Sequence, residues 1–183
     1  AVNEAVQVPE IVEVDDLARQ REELELDFGR GGPPPLGDPV EAEIAELRAA
    51  VQALQVVKDR QDILACIQRE SRARDRQDID QINGCWWPEG VDEHGAVITG
   101  AADYAARANM GHGMNFNMTS HNITNHICEI DGDTAYCESY VVGGLFWLSG
   151  KTTTIAFGRY LDQLEKRSGE WRMLVRKCTI EMT

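Results

Sequence analysis

Apolar residues recur along this chain with two different periods. Val40, Ile44, Leu47, Val51 and Leu54 are spaced by four, three, four and three residues, the heptad-like stripe of an amphipathic helix. Asp38, Pro39 and Glu41 form its start signal: a capping side chain, a first-turn proline and an acid in capping-box spacing. A second helix is predicted to begin at Asp59-Arg60-Gln61-Asp62, bury Ile63, Leu64, Cys66 and Ile67, and run to Arg74-Asp75. A short helix from Gln77 to Ile82 then stops at Asn83-Gly84. Cys85-Trp86-Trp87-Pro88 reads as an aromatic segment, and Val91-Asp92-Glu93-His94-Gly95 as a polar loop. Thr99 is placed to cap another helix, from Ala101 to Met110.

From His121 onward the period changes to two. His121 to Ile130 and Thr134 to Val142 are predicted strands, joined by a turn at Asp131-Gly132-Asp133. Thr152 to Leu164 and Glu170 to Glu181 follow as two more, with a turn around Lys166-Arg167-Ser168-Gly169. Helices first and an antiparallel meander afterwards predict an α+β domain, its helices covering one face of a curved sheet.

Composition narrows the classes. The chain has 183 residues and a formal net charge of −13, enough for one domain and a poor match to a nucleic-acid partner, which takes clustered Lys and Arg. Residues 1–40 hold ten acidic and three basic side chains, so more than half of the imbalance lies there. Residues 1–37, ending in the Gly/Pro-rich run 29–37, therefore read as an acidic arm, either solvated or wrapped on a partner subunit. No apolar run nears the roughly 20 residues of a membrane helix, and nothing reads as a signal peptide. The five cysteines, Cys66, Cys85, Cys128, Cys137 and Cys178, include no C-x-x-C pair. They are expected to be reduced thiols of a cytoplasmic protein. His94, His112, His121 and His126 show no finger-like spacing with them, so no metal is expected.

Candidate chemistry comes from the hairpin register. With a two-residue loop, Asp131-Gly132 or Gly132-Asp133, directly opposed residues share a face. His121, Asn125 and Ile127 would then share one with Tyr136, Glu138 and Tyr140, whereas a three-residue loop would break the grouping. A polar face of this kind, if covered, needs partners or a job, and His121 suits acid–base work. Asp75 ends a helix that carries Glu70, among Arg69, Arg72, Arg74 and Arg76. Asp92 and His94 form a compact acid–imidazole couple.

These segments occur in an order that resembles a known family. Asp59-Arg60-Gln61-Asp62-Ile63, Ala73-Arg74-Asp75-Arg76, the stretch Cys85 to Gly95, His121 to Asn125, Glu129 to Ala135 and Gly158-Arg159-Tyr160-Leu161-Asp162 together resemble the SnoaL-like branch of the nuclear transport factor 2-like superfamily. The resemblance covers residues 58–183, leaving 38–57 as an extra N-terminal helix. It implies a cone-shaped α+β barrel in which a strongly bent antiparallel sheet wraps a deep pocket. It also implies an acid–base dyad of Asp75 and His121, as in dehydratases resembling the scytalone and bile-acid enzymes. Asn125, Glu138, Tyr140, Arg159 and Phe116 would line or support the pocket. Two departures stand out: Glu70 where the family often has Tyr, and Trp86-Trp87 where it often has Tyr-His. An apolar pocket would raise the Glu70 pKa and give it an acid–base role beside the dyad. The two indoles would suit a flat hydrophobic substrate.

The resulting expectation is a cofactor-independent lyase acting on a hydroxylated aromatic or polycyclic small molecule. It would eliminate water, or formaldehyde from a lignin-derived diarylpropane diol. The alternatives are an isomerase, cyclase or epoxide hydrolase on the same scaffold, and a non-catalytic small subunit of a ring-hydroxylating dioxygenase. The arm and the heptad-like helix point to a homo-oligomer, a trimer ahead of a dimer.

Overall fold

The computed structural model describes residues 39–182. The predicted arm and the Asp38 cap lie outside the described residues. Internal contacts divide the chain after Ala50, and the candidate site lies wholly in the later unit.

The two long helices expected from the sequence are one. Helix α1 spans Pro39–Asp75 without a break, and Asp59-Arg60-Gln61-Asp62 sits inside it. The segment holds no Gly or Pro after Pro39, and an interior Asp lowers helix propensity by only about 0.7 kcal/mol. Neighbours one turn away also satisfy these polar groups: Gln55 donates to Asp59 at 3.2 Å, and Lys58 pairs with Asp62. Helix α2 spans Ile79–Asn83, capped by the Asp78 carboxylate, which accepts from the Gln81 N–H. Helix α3 spans Ala101–Asn115 and starts at Gly100 with no side-chain cap. Thr99, expected to be that cap, instead accepts a hydrogen bond from Arg107.

Six strands follow one another as β1 Trp86–His94, β2 Val97–Gly100, β3 Phe116–Asp131, β4 Thr134–Trp147, β5 Thr153–Arg167 and β6 Glu170–Met182. The stretch from Val91 to His94, read as a loop, is strand. The turn between β3 and β4 has the two-residue form: Asp131 opposes Thr134, and Gly132 takes a φ of +57°. Ser168 and Gly169 both have positive φ, the conformation that lets a two-residue loop match the twist of its strands.

The expected closed barrel is corrected. The sheet order is β2-β1-β6-β5-β4-β3, with β1 parallel to β6 and the other neighbours antiparallel. Among the described strands none joins the free edges of β2 and β3, so the sheet is mixed and open. It is not a strongly bent, wholly antiparallel wall around a deep pocket. Closure would require the two edges to pair along a matched length, and β2 has four residues against sixteen in β3.

One face of the sheet is buried. Ile63, Cys66, Ile67 and Ala73 of α1 form a core with Cys128, Ala135, Cys137, Leu164, Trp171 and Met173. Two register shifts decide what else faces inward. On β3 the partners change phase between Ile123 and His126. Cys128 and His126 therefore share the inner face with Ile123, His121 and Thr119, two runs that strict alternation would separate. On β6 a shift beside Met173 brings in Arg176 in place of Val175. At a third irregularity, on β5, a Cβ on Gly158 would overlap the Thr179 carbonyl oxygen. Gly158→Ala is expected to destabilise the fold by about 1–3 kcal/mol, read as a lower urea midpoint.

Candidate active site

Asp75, the last residue of α1, meets β3 at His121. Its carboxylate receives three hydrogen bonds: Thr119 Oγ1 at 2.8 Å, the His121 backbone N–H at 2.8 Å, and His121 Nδ1 at 2.6 Å. A carboxylate only accepts, so the His121 proton belongs on Nδ1, leaving the Nε2 lone pair free. Burial pushes the Asp75 carboxyl up, but these donors outweigh it and hold it below the usual range. Burial, reinforced by the Arg74 charge, lowers the His121 pKa despite Asp75. At neutral pH the pair is therefore a carboxylate and a neutral imidazole.

Three hollows adjoin at His121. One, of about 130 Å³, is mainly apolar and includes Phe116, Val141, Leu145, Phe157, Tyr160 and Ile180. Another, of about 390 Å³, carries Arg74, Asp92, His94, Tyr104 and His112. The third, of about 610 Å³, opens past Asp75, Thr119 and Arg76. An apolar chamber beside a few convergent polar groups is the usual form of a small-molecule site.

Two further imidazoles face these hollows. His112, from α3, stacks on His121 with centroids 5.6 Å apart, and Phe116 meets its edge. Burial and the neighbouring His121 push its pKa down to about 4. His94 lies 3.5 Å from the buried carboxylate of Asp92. Burial disfavours its charge, but Asp92 and Cys178 outweigh that and raise its pKa to about 9. The hollows are thus lined by two neutral imidazoles, His121 and His112, and one protonated imidazole, His94.

The remaining predicted residues fall elsewhere. Glu70 is fully buried behind Arg74 and Tyr104, which line a hollow that it does not itself line, in a charged network rather than an apolar pocket. It bonds Arg176 Nη1 at 2.5 Å, lies 2.9 Å from Arg74 Nε, and accepts from Tyr104 at 3.1 Å. Burial pushes its pKa up, but the two arginines prevail and lower it, the reverse of the expected direction. Asn125 is exposed. Glu138 and Tyr140 alternate with the buried Ser139 and Val141 and so point to the outer face. The predicted grouping of His121 with Glu138 and Tyr140 fails because of the β3 register shift. Arg159 borders the small hollow, but its guanidinium is held outside by Glu138 and Glu181. Trp86 is core, 5.3 Å from Tyr104. Trp87 lies beneath Arg167 and Arg172, its indole N–H donating to the Glu165 carbonyl.

Sequence reasoning passed over Thr119, His112, Arg74 and Tyr160. Arg74 donates to the Tyr160 hydroxyl at 2.6 Å, which leaves that hydroxyl's own proton available. Thr119 lies two residues before His121 and so on the same strand face, a signal that was available.

An open α+β sheet with a half-buried Asp–His couple at an apolar hollow defines a class of small-molecule-site domains. Residues 55–177 match the SnoaL-like domain family, and the chain belongs to it. No curated protein matches the chain. Among solved structures, a candidate scytalone dehydratase of Novosphingobium aromaticivorans is similar at 19% identity and a TM-score of 0.64, over 69% of this chain and 86% of that one. A hexachlorocyclohexane dehydrochlorinase of Novosphingobium barchaimii is similar at 16% identity and a TM-score of 0.63, over 71% and 91%. A protein of unknown function from Mycobacterium tuberculosis reaches 26% identity and a TM-score of 0.61, over 68% and 77%.

Proposed function

We propose that this chain is a lyase that eliminates a small group from a hydroxylated aromatic or polycyclic molecule, with His121 as its base. The observation that carries this reading is the Asp75–His121 bond, which leaves an unprotonated Nε2 beside an apolar hollow. A candidate dehydratase and a dehydrochlorinase among the structural neighbours support elimination as the reaction class.

In dehydration His121 takes a C–H proton, the electron pair forms the alkene, and the hydroxyl leaves as water with a proton from His94. In formaldehyde loss His121 takes the proton of a terminal hydroxymethyl group. The carbon–carbon bond then breaks, formaldehyde departs, and its electrons form the alkene as a benzylic hydroxyl leaves as water. In both cases a group of lowered pKa accepts and a group of raised pKa donates. Incubation with a diarylpropane diol separates the two: formaldehyde in a colorimetric assay, or a product lighter by one water alone. A product of unchanged mass would mean isomerisation, and binding without turnover would end the lyase reading.

The proton inventory sets the pH profile. The base works only when deprotonated, so kcat/KM rises through a pKa below the ordinary 6.5 of His121. The acid works only when protonated, so it falls as His94 titrates at about 9. A bell with those limbs is expected, and His94→Gln is expected to lower the plateau and remove the alkaline limb.

We also assign the chain to a homo-oligomer, a trimer ahead of a dimer. The stripe Val40, Ile44, Leu47, Val51 and Leu54 stays exposed along α1, and an apolar ridge of this kind is an association surface. Light scattering on the full chain reads the mass directly.

A further inference from the structure

The inner face of the β3–β4 hairpin gathers three metal-ligating side chains that the proposed reaction does not use. His126 and Cys128 lie two residues apart on β3 and so point the same way. Cys137 on β4 is the direct cross-strand partner of Cys128. One ring nitrogen of His126 and the two Sγ atoms all lie within 4.8 Å of one another. We propose that His126, Cys128 and Cys137 form a binding site for a single thiophilic d¹⁰ cation, Zn²⁺ or Cu⁺.

The chemistry of the donor set fits. Thiolate and imidazole together select zinc or cuprous ions over the hard cations taken by carboxylates and carbonyls. The atoms need to close only slightly, since metal–sulfur and metal–nitrogen bonds of about 2.3 and 2.0 Å place ligand atoms somewhat under 4 Å apart. The imidazole also has one ring nitrogen engaged and the other free to ligate. His126 Nδ1 bonds the Ser139 hydroxyl at 2.8 Å, while Nε2 is buried with no hydrogen-bond partner. A hydroxyl bonded to one ring nitrogen and a bare lone pair on the other is the pattern that fixes a ligating tautomer. Asp162, the cross-strand neighbour of Cys137 on β5, has both oxygens engaged by Arg176. The protein therefore supplies three ligands, and the fourth position of a zinc ion falls to water. Cuprous ion is satisfied by three. Spacing along the chain hides the site because the third ligand comes from the neighbouring strand.

The test uses the full chain, reduced with a non-chelating phosphine and stripped with a chelator. It is titrated separately with Zn²⁺ and with Cu⁺ while bound metal per chain is measured. One equivalent of either ion, with a rise in Tm, is expected, and the tighter ion names the native metal. Cys137→Ser and His126→Ala are expected to abolish stoichiometric uptake, and Cys66→Ser to retain it. Ser139→Ala removes only the orienting hydroxyl and is expected to weaken binding on the order of tenfold, so the claim survives if a ligand variant misfolds. Uptake of neither ion would overturn the proposal. So would full binding in folded Cys137→Ser and Ser139→Ala, or a Cys128–Cys137 disulfide forming in place of metal uptake.

Discussion

Asp75→Asn is expected to lower kcat by roughly two to four orders of magnitude with little loss of stability. The carboxylate fixes the His121 proton on Nδ1 and leaves Nε2 to face the hollow. An amide can turn its NH₂ toward Nδ1, which reverses the tautomer and places the proton where the base must act. The template for such a loss is the Ser-His-Asp triad, in which the same substitution keeps the geometry and removes most of kcat. His121→Ala is expected to cost a similar factor. The double variant should be little worse than either single one, because the two residues act as a unit. Turnover of the preferred substrate, with circular dichroism and a Tm for each variant, checks all three. Wild-type turnover by folded Asp75→Asn and His121→Ala would remove the dyad from the reaction.

Arg176→Met is expected to cost about 3–5 kcal/mol of stability. Arg176 is completely buried and bridges two carboxylates: a fork to Asp162 at 2.7 and 2.8 Å and a single bond to Glu70 at 2.5 Å. Removing it strands Asp162 and leaves Glu70 with Arg74 and the Tyr104 hydroxyl, and an unpaired buried charge is costly. Combining it with Asp162→Asn and Glu70→Gln should restore part of the loss by removing the stranded charges. The network also sets an acid limb for stability. Glu70 has a lowered folded pKa, so its contribution is present above the unfolded carboxyl value near 4.5. It is lost as pH falls through the folded value. Urea titrations of the wild type between neutral pH and pH 3 read this directly.

Two distinct roles lie close together at the end of α1. Glu70 and Asp75 stand five residues apart, and either could be read as an acid–base group. Helical geometry sends them to different places: Glu70 goes inward among Arg74, Arg176 and Tyr104, and Asp75 to the helix end, over β3. Arg176 could not be seen as the partner of Glu70, because a Lys- and Arg-containing strand with alternating apolar residues reads as having an outward basic row. The β6 register shift turns one member of that row into the core.

The same cause explains the other differences. The helices around Ile63 and Ala101, the hairpin at Gly132 and the α+β class follow from period and turn chemistry, which are local. The partners of His121 depend on a bulge four residues away, and bulges leave little trace in residue type. The parallel pairing of β1 with β6, and hence the open sheet, joins segments some 80 residues apart, and no local period encodes it. Asp75 and His121 were legible as a pair through the family resemblance. His112 was not, because nothing in its helix distinguishes it from a surface residue until it is found stacked on His121.

The central claim is a proton inventory: at neutral pH His121 is neutral with its proton on Nδ1, and His94 is protonated. Long-range ¹H–¹⁵N correlation spectra of the imidazole rings, recorded from pH 5 to pH 10, test it without knowledge of the substrate. His121 is expected to titrate below 6.5 and to show the Nδ1–H tautomer above that, while His94 titrates at about 9. In Asp75→Asn the His121 tautomer should move to Nε2–H. An imidazolium at His121 at pH 7.5, or a neutral Nε2–H tautomer in the wild type, would contradict it.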